Sequence, residues 1–391
     1  MTHDPDLANV LELLAVPGEP GKEGEIARVV RENLLRAGVP SDCVVTDDAH
    51  RKSTSSGEVG NLIIRLDGHG RGERRMLSTH LDTVPGAVGC RPRVQGGRVV
   101  NAAPGKALGA DARAGCAVLL GAARALVARG GDHPPWTLVF FVQEEIGLAG
   151  ARWLDVGLLG EPRPAMCFNF DGADACELTR KVIGAERLHI TVTGVAAHTM
   201  TPRRGISAAE IGARAAAEMM EAGWHGAIEQ PGGRGLANLG VLRGGTGSNV
   251  VMPELYALIE ARSHNKAFRS AIIAAWKEAF RRAVDRANAE ATGADGRADV
   301  TFAPGPVYDP YELPADAPVV RAAAEAIRRI GLRPTRVDDD GGQDTAWVVA
   351  HGIPAVGLGF GGRAAHSPDE WLDLEQFRLS CRLAVELVNA T

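Results

Sequence analysis

Leu138, Val139, Phe140, Phe141 and Val142 form an unbroken apolar run that ends one residue before two adjacent carboxylates, Glu144 and Glu145. Continuous apolarity with β-branched and aromatic members, and no polar alternation, predicts a strand covered on both faces. Strand-like runs at 61–66, 75–82 and 164–172 predict companion strands. Amphipathic patterns predict helices over 6–15 and 22–37. The Ala- and Leu-rich stretch 112–131 predicts a helix closed by Gly130 and Gly131. The Gly- and Pro-rich passage 85–110 reads as loop and hairpin. Strands alternating with helices predict an α/β fold, a mixed, largely parallel sheet flanked by helices.

The pattern changes near residue 186. "ERLHITVTG" alternates polar and apolar positions, as a half-exposed antiparallel strand does. A helix at 207–222, strands at 236–243 and 250–263 and a helix at 268–291 follow, a β-α-β-β-α order that predicts a small α+β domain. The segment 293–314 is turn-rich. A helix at 316–331, a strand at 353–360 and a helix at 373–389 then return to the first texture. The acidic run "DDDGGQD" at 338–344 reads as a solvated loop, with the rim of a site as its other place. The expected organisation is a discontinuous domain of residues 1–185 and 304–391 interrupted by an inserted domain of residues 186–303.

The net charge of −5 over 391 residues, with no basic stripe, argues against a nucleic-acid partner. No apolar run of about 18 residues is present to span a membrane, and the N-terminal residues lack the pattern of a secretory leader. Six cysteines are scattered without a C-x-x-C pair. They read as reduced thiols of a cytoplasmic protein rather than as a disulfide framework.

In open α/β sheets, sites form beyond the carboxyl ends of strands. Standing there are His80, Asp82, Glu144, Glu145 and Asp171, with His366 in the loop after the last strand and Asp111 opening a helix. Each has an ordinary structural role when taken alone: a helix cap for Asp111, a turn for Asp171, a hydrogen-bonded core histidine for His80. Five carboxylates on one edge, however, repel one another, and burial forces protons onto some of them unless a cation intervenes. Imidazole and carboxylate donors without cysteine suit a catalytic zinc or similar divalent ion. A carboxylate shared between two metals would use the acids economically. His80 and Asp82 fall on one face of their strand, so Asp82 is placed to hold the His80 ring. Strand alternation sends Glu144 and Glu145 to opposite sides, for two different tasks.

The motifs "STHLDTVPG", "GADARAG", "QEEIGLAG", "NFDG" and "GGRAAHSPDEW", in that order, resemble those of the M20 metallopeptidases, with the peptidase T-like aminotripeptidases nearest. The resemblance spans nearly the whole chain. It implies a zinc-exopeptidase-like fold with an inserted lid and dimerisation domain, and two zinc ions for which cobalt or manganese can substitute. By the same resemblance Asp111 bridges the metals, His80 and Asp171 hold one, Glu145 and His366 hold the other, and Glu144 is the general base, with Asp82 in the catalytic set. Ala112 stands where the family usually has a second acid, and Arg113 where lysine is common. The family tends to have a cis peptide bond after the bridging aspartate. In the inserted domain the resemblance makes His198 the residue that reaches a partner subunit's site to stabilise the oxyanion, and Asn249 and Arg262 substrate contacts. His264 reads as structural.

The expected protein is a cytoplasmic, homodimeric, zinc-dependent exopeptidase that cleaves near the end of short peptides, with neither nucleic acid nor membrane as partner. Two alternatives stand beside it: an N-acyl amino acid deacylase using the same site, and a binding protein that keeps the scaffold without activity. An intact Glu144 argues against the second, because a retired site has no need of a base.

Overall fold

The apolar runs lie side by side in the middle of a nine-stranded sheet. In this computed structural model, which describes residues 4–339 and 341–389, the strands Trp136–Phe141, Arg75–His80, Met166–Gly172 and Ala355–Gly359 are consecutive parallel neighbours. His80 is in register with Phe141, Ser78 with Asn169, and Asn169 with Gly357. The carboxyl ends of these strands therefore finish close to one level. Leu62–Leu66 pairs antiparallel on one side and Glu177–Val182 antiparallel on the other, so the sheet is mixed with a parallel centre.

Alternation along each strand feeds two cores. Leu77, Leu138 and Phe140 join one cluster with residues of the helices Pro5–Ala15, Gly24–Arg36, Ala110–Ala128, Pro318–Arg329 and Leu374–Asn389. Met76, Val139 and Phe141 join a second with Ala151 and Val348 from the short helices Ala149–Arg152 and Thr345–Ala350. Helices thus cover both faces, which is why the central strands carry buried apolar residues on both of their faces. Helix Ala110–Ala128 is buried along most of its length and lies close to the strands that carry His80 and Asp171. Gly115 permits this approach: a Cβ there would stand 2.5 Å from the Phe170 carbonyl oxygen.

A second, smaller sheet joins Gly362–Arg363, Trp371–Asp373, Arg98–Asn101 and Pro92–Gln95. The first two of these strands pair antiparallel, and the loop between them carries His366. Arg98 stacks over the Trp371 ring at 3.8 Å, a cation–π contact that pins this hairpin.

The chain divides into two units, one ending at Val182 and resuming at Glu312, the other Ile183–Tyr311. The second unit begins at Ile183 and ends at Tyr311, against the expected insert of 186–303. The turn-rich composition of 293–314 conceals a strand, Asp299–Tyr308, whose residues pair antiparallel with Gly184–Thr193. Another strand the pattern did not predict, Gly226–Gln230, forms the edge beyond Gly233–Gly244. The result is a five-stranded antiparallel sheet, with Glu254–Ser263 at its centre alternating between buried and partly exposed positions. Helices Ala208–Glu221 and Lys266–Glu290 pack on it, capped by Ser207 and Asn265 side chains.

Candidate metal centre

The strand expected to end at Glu144 stops at Phe141. Gln143 has φ +55°, which turns the chain, and Glu144 and Glu145 stand in the turn that follows rather than on opposite faces of a strand. A buried carboxylate holds this turn. Asp82, fully buried, accepts the Glu144 N–H at 3.0 Å on Oδ1 and the Glu145 N–H at 3.1 Å on Oδ2.

Asp82 bears on His80 differently from the sequence reading. The His80 Nδ1–H donates to the backbone carbonyl of Asp82 at 3.0 Å, while the Asp82 carboxylate is farther away at 3.5 Å. With Nδ1 protonated, the lone pair of Nε2 faces the site. Nε2 is 3.1 Å from Asp111 Oδ1 and 3.4 Å from Asp171 Oδ1. On the opposite side, His366 Nε2 is 3.3 Å from Asp111 Oδ2 and 3.0 Å from Glu145 Oε1. The Asp111 carboxylate therefore lies between two imidazoles, one oxygen to each. His80, Asp111 and Glu145 offer ligand atoms that all lie within 4.8 Å of one another.

Asp111 reaches this place because the first residues of its helix are not helical: Asp111 has ψ 106° and Ala112 φ −114°, ψ 41°. The peptide bond between them is cis. Arg113, where the family more often has lysine, is buried and donates from Nη2 to the Gly18 carbonyl.

The electrostatics of the bare side chains are those of a site short of positive charge. Burial, reinforced by Asp111 and Glu145, pushes the Asp171 carboxyl up to about 7 against the pull of His80. Burial also holds Glu144 well above the carboxylate range, with Asp171, Asp344 and Glu145 adding to it and His80 opposing. Glu145 is raised by burial and by Asp111. Burial works against the charged form of His80, yet Asp171, Asp111 and Asp82 outweigh it and hold the imidazole well above its usual value. His366 is pushed up to about 10 by Asp111 and Glu145. For Asp111 burial is outweighed by His366 and His80, which keep its carboxyl below the usual range. Nitrogen and carboxylate lone pairs facing one another at 3.0–3.4 Å are reconciled either by such protons or by cations in their place. Imidazole and carboxylate donors of this kind fit zinc or a comparable divalent ion.

Three buried acids of this region were not singled out in the sequence. Asp344 is the last residue of the acidic run read as a solvated loop (Asp340, within that run, lies outside the described residues). It is fully buried, and neither of its carboxylate oxygens has a hydrogen-bond partner. Burial, together with Asp171, Asp82 and Glu145, holds it well above the usual range, against the pull of His80. Glu23 is also fully buried, and its Oε1 accepts the N–H groups of Gly21 and Gln143 at 2.8 and 3.0 Å. Glu370 accepts the N–H of Gly109 at 2.7 Å and of Asp111 at 3.2 Å. None stands at the end of an apolar run, which was the signal that found the others.

The remaining candidates belong to the second unit. His198 is exposed on the loop after Gly184–Thr193, and its Nδ1 accepts the Met200 N–H at 3.1 Å. It is a neighbour of Asn249, also exposed, through a bridge between His198 and Val250 and a Thr199 N–H to Asn249 O bond of 3.1 Å. Arg262, on the strand Glu254–Ser263, donates from Nε to Glu260 Oε1 at 2.7 Å, and Arg187 donates to the other oxygen of Glu260.

Comparison with known proteins places this arrangement. The family model described as peptidase family M20/M25/M40 matches residues 76–390. The chain is 30% identical over 385 residues to the uncharacterised protein YqjE of Bacillus subtilis (strain 168), covering 98% of this chain and 97% of that one. Among solved structures it is similar to a tripeptidase from Staphylococcus aureus subsp. aureus Mu50, with TM-score 0.83 and 27% identity, over 98% of this chain and 97% of that one. It is also similar to aminopeptidase PepT from Bacillus cereus ATCC 10987, with TM-score 0.80 and 28% identity over the same shares. Because the family model runs through the strand ends, the helix of Asp111 and the His366 loop alike, the chain belongs to peptidase family M20/M25/M40 and is a metal-dependent hydrolase.

Proposed function

We propose that this hydrolase is a two-zinc exopeptidase that removes residues from the end of short peptides, with tripeptides as the preferred length. The observation that carries the two-ion reading is the Asp111 carboxylate between His80 and His366, one oxygen toward each ring. His80 and Asp171 would hold one ion, His366 and Glu145 the other, and Asp111 would bridge them. The likeness to a tripeptidase and to an aminopeptidase supports the substrate class.

When bound, the two ions lower the pKa of an attacking water toward neutrality and polarise the scissile carbonyl. The protein supplies the proton traffic. Glu144 is the acid of the pair whose side chain has no partner among the ligands, and burial raises its proton affinity, which suits a group that takes the water's proton and hands it to the leaving amine. Asp82 keeps base and ligand in one turn through their adjacent N–H groups. In the second unit, the Met200 N–H on Nδ1 of His198 leaves Nε2 as the protonated nitrogen, a donor for a developing oxyanion. We propose that it acts on the site of a partner subunit in a homodimer, and that Asn249 and Arg262 contact the substrate. Six free cysteines fit a reducing, cytoplasmic setting, and no described helix is long and apolar enough to cross a membrane.

The test separates the two glutamates. Glu144→Gln should bind zinc as the wild type does yet lose at least 10²–10⁴-fold in kcat on a tripeptide. Glu145→Gln should lose one of two zinc equivalents. The opposite pattern would exchange their roles, and full activity after chelation would defeat the metal reading altogether. A panel that includes N-acyl amino acids distinguishes peptidase from deacylase.

A further inference from the structure

We propose that Glu370 is a positioning residue of the metal centre, a carboxylate that holds the backbone of Asp111 from the same turn that carries His366 and so sets how these two side chains meet. The inference rests on the two-metal reading above and concerns how its bridging geometry is maintained.

Glu370 is buried, with 3% of its surface exposed, and both of its oxygens are committed to backbone donors. Oε2 accepts the Gly109 N–H at 2.7 Å and Oε1 the Asp111 N–H at 3.2 Å. These donors need an outside acceptor. Helix Ala110–Ala128 is preceded by Gly109, which has φ +76° and no side chain to cap the first turn. Asp111 itself has ψ 106°, so the helical ladder does not fix its orientation. The direction of its side chain follows from the peptide plane whose N–H Glu370 holds.

The other end of the link is the turn of residues 364–370. The Glu370 N–H donates to the Ser367 carbonyl at 3.1 Å, and Ser367 Oγ donates to the Ala364 carbonyl at 2.8 Å while accepting the Asp369 N–H at 3.3 Å. His366 sits inside this turn with φ +63° and a side chain 52% exposed. The two imidazoles thus differ in support. His80 is enclosed, and its Nδ1 is anchored on a carbonyl. His366 depends on its turn, and Glu370 ties that turn to Asp111. A carboxylate suits the task better than an amide, because two N–H donors require an acceptor on each oxygen. Releasing Glu370 should therefore weaken both ions that Asp111 would bridge, and most of all the ion on the His366 and Glu145 side, whose turn Glu370 also ties.

The experiment is a zinc titration of chelator-stripped full-length wild type, Glu370→Gln and Glu370→Ala by calorimetry with a competing chelator, alongside thermal melts of the same samples. Wild type should take up two equivalents. In Glu370→Ala the weaker equivalent should bind about 10–100-fold less tightly, the range for groups that orient a ligand. Glu370→Gln, which keeps one acceptor, should fall between, and it carries the test if the alanine variant does not fold. The tighter equivalent should weaken distinctly less than the other in both, a split that a general loss of stability does not produce. Wild-type affinity for both equivalents in the variants, or equal weakening of both, would overturn the proposal whatever the melts show. Uptake of fewer than two equivalents by the wild type would instead overturn the two-metal reading beneath it.

Discussion

Asp82→Asn should loosen the turn of the two glutamates while leaving His80 in place, and the structure allows the size of the effect to be worked out. The Asp82 carboxylate is fully buried and accepts two backbone N–H groups, at 3.0 and 3.1 Å. Hydrogen bonds to a charged acceptor contribute about 1.5–3 kcal/mol each. Asparagine keeps one oxygen and turns an NH₂ group toward the other donor, so one bond is lost and stability should fall by about 1.5–3 kcal/mol. Against a typical total of about 5–15 kcal/mol, the variant stays folded and assayable. Displacing a catalytic group by about 1 Å costs roughly 10²-fold in rate, so turnover should drop by about that factor. The His80 ring should not follow, because its Nδ1–H donates to the main-chain carbonyl of residue 82, which the substitution preserves. Urea unfolding of chelator-stripped protein, followed by tryptophan fluorescence, gives the first number. Steady-state kinetics on a tripeptide with added zinc give the second. An unchanged unfolding midpoint together with unchanged kcat would refute the reasoning. Loss of the His80-side metal in Asp82→Asn would show that the carboxylate at 3.5 Å, not the carbonyl at 3.0 Å, orients the ring.

Two further outcomes are expected. Burial, with Asp82 adding to it, pushes the Glu23 carboxyl up to about 7 from an ordinary 4.5. The folded chain then keeps a proton that the unfolded chain has released; this stability is fully present below about pH 4.5 and is lost as pH rises through 7, by at most about 3–4 kcal/mol. Glu23→Gln should flatten that slope in urea unfolding at pH 5 and 7.5, and an identical slope in both proteins would rule the assignment out. If Arg262, oriented by Glu260, grips a substrate carboxylate, a C-terminally amidated tripeptide should lose about ten- to a hundredfold in kcat/KM, and Arg262→Lys should lose a similar factor on the free acid. Equal cleavage of amidated and free peptides would remove Arg262 from substrate recognition.

The central strands and the acids at their ends were legible in the chain itself. Burial on both faces demands unbroken apolar runs, and the polar residues that stop those runs must stand at the strand ends. His80, Asp82, Glu144, Glu145 and Asp171 were found this way, and Asp111 by its place before an alanine-rich helix. Local patterns report what a segment does with its own neighbours, and they fall silent where a partner lies far along the chain. The strand Asp299–Tyr308 carries two prolines and a glycine and exists because Gly184–Thr193 offers it a ladder. The turn at Gln143 took both glutamates off the strand, and Asp82, some sixty residues earlier, became the acceptor for their N–H groups. Glu23, Asp344 and Glu370 look in the sequence like ordinary surface acids. Their burial beside donors or carboxylates from distant segments was decided only when the chain packed. A carboxylate declares its own charge wherever it stands, but the partner that satisfies it is a property of the folded chain.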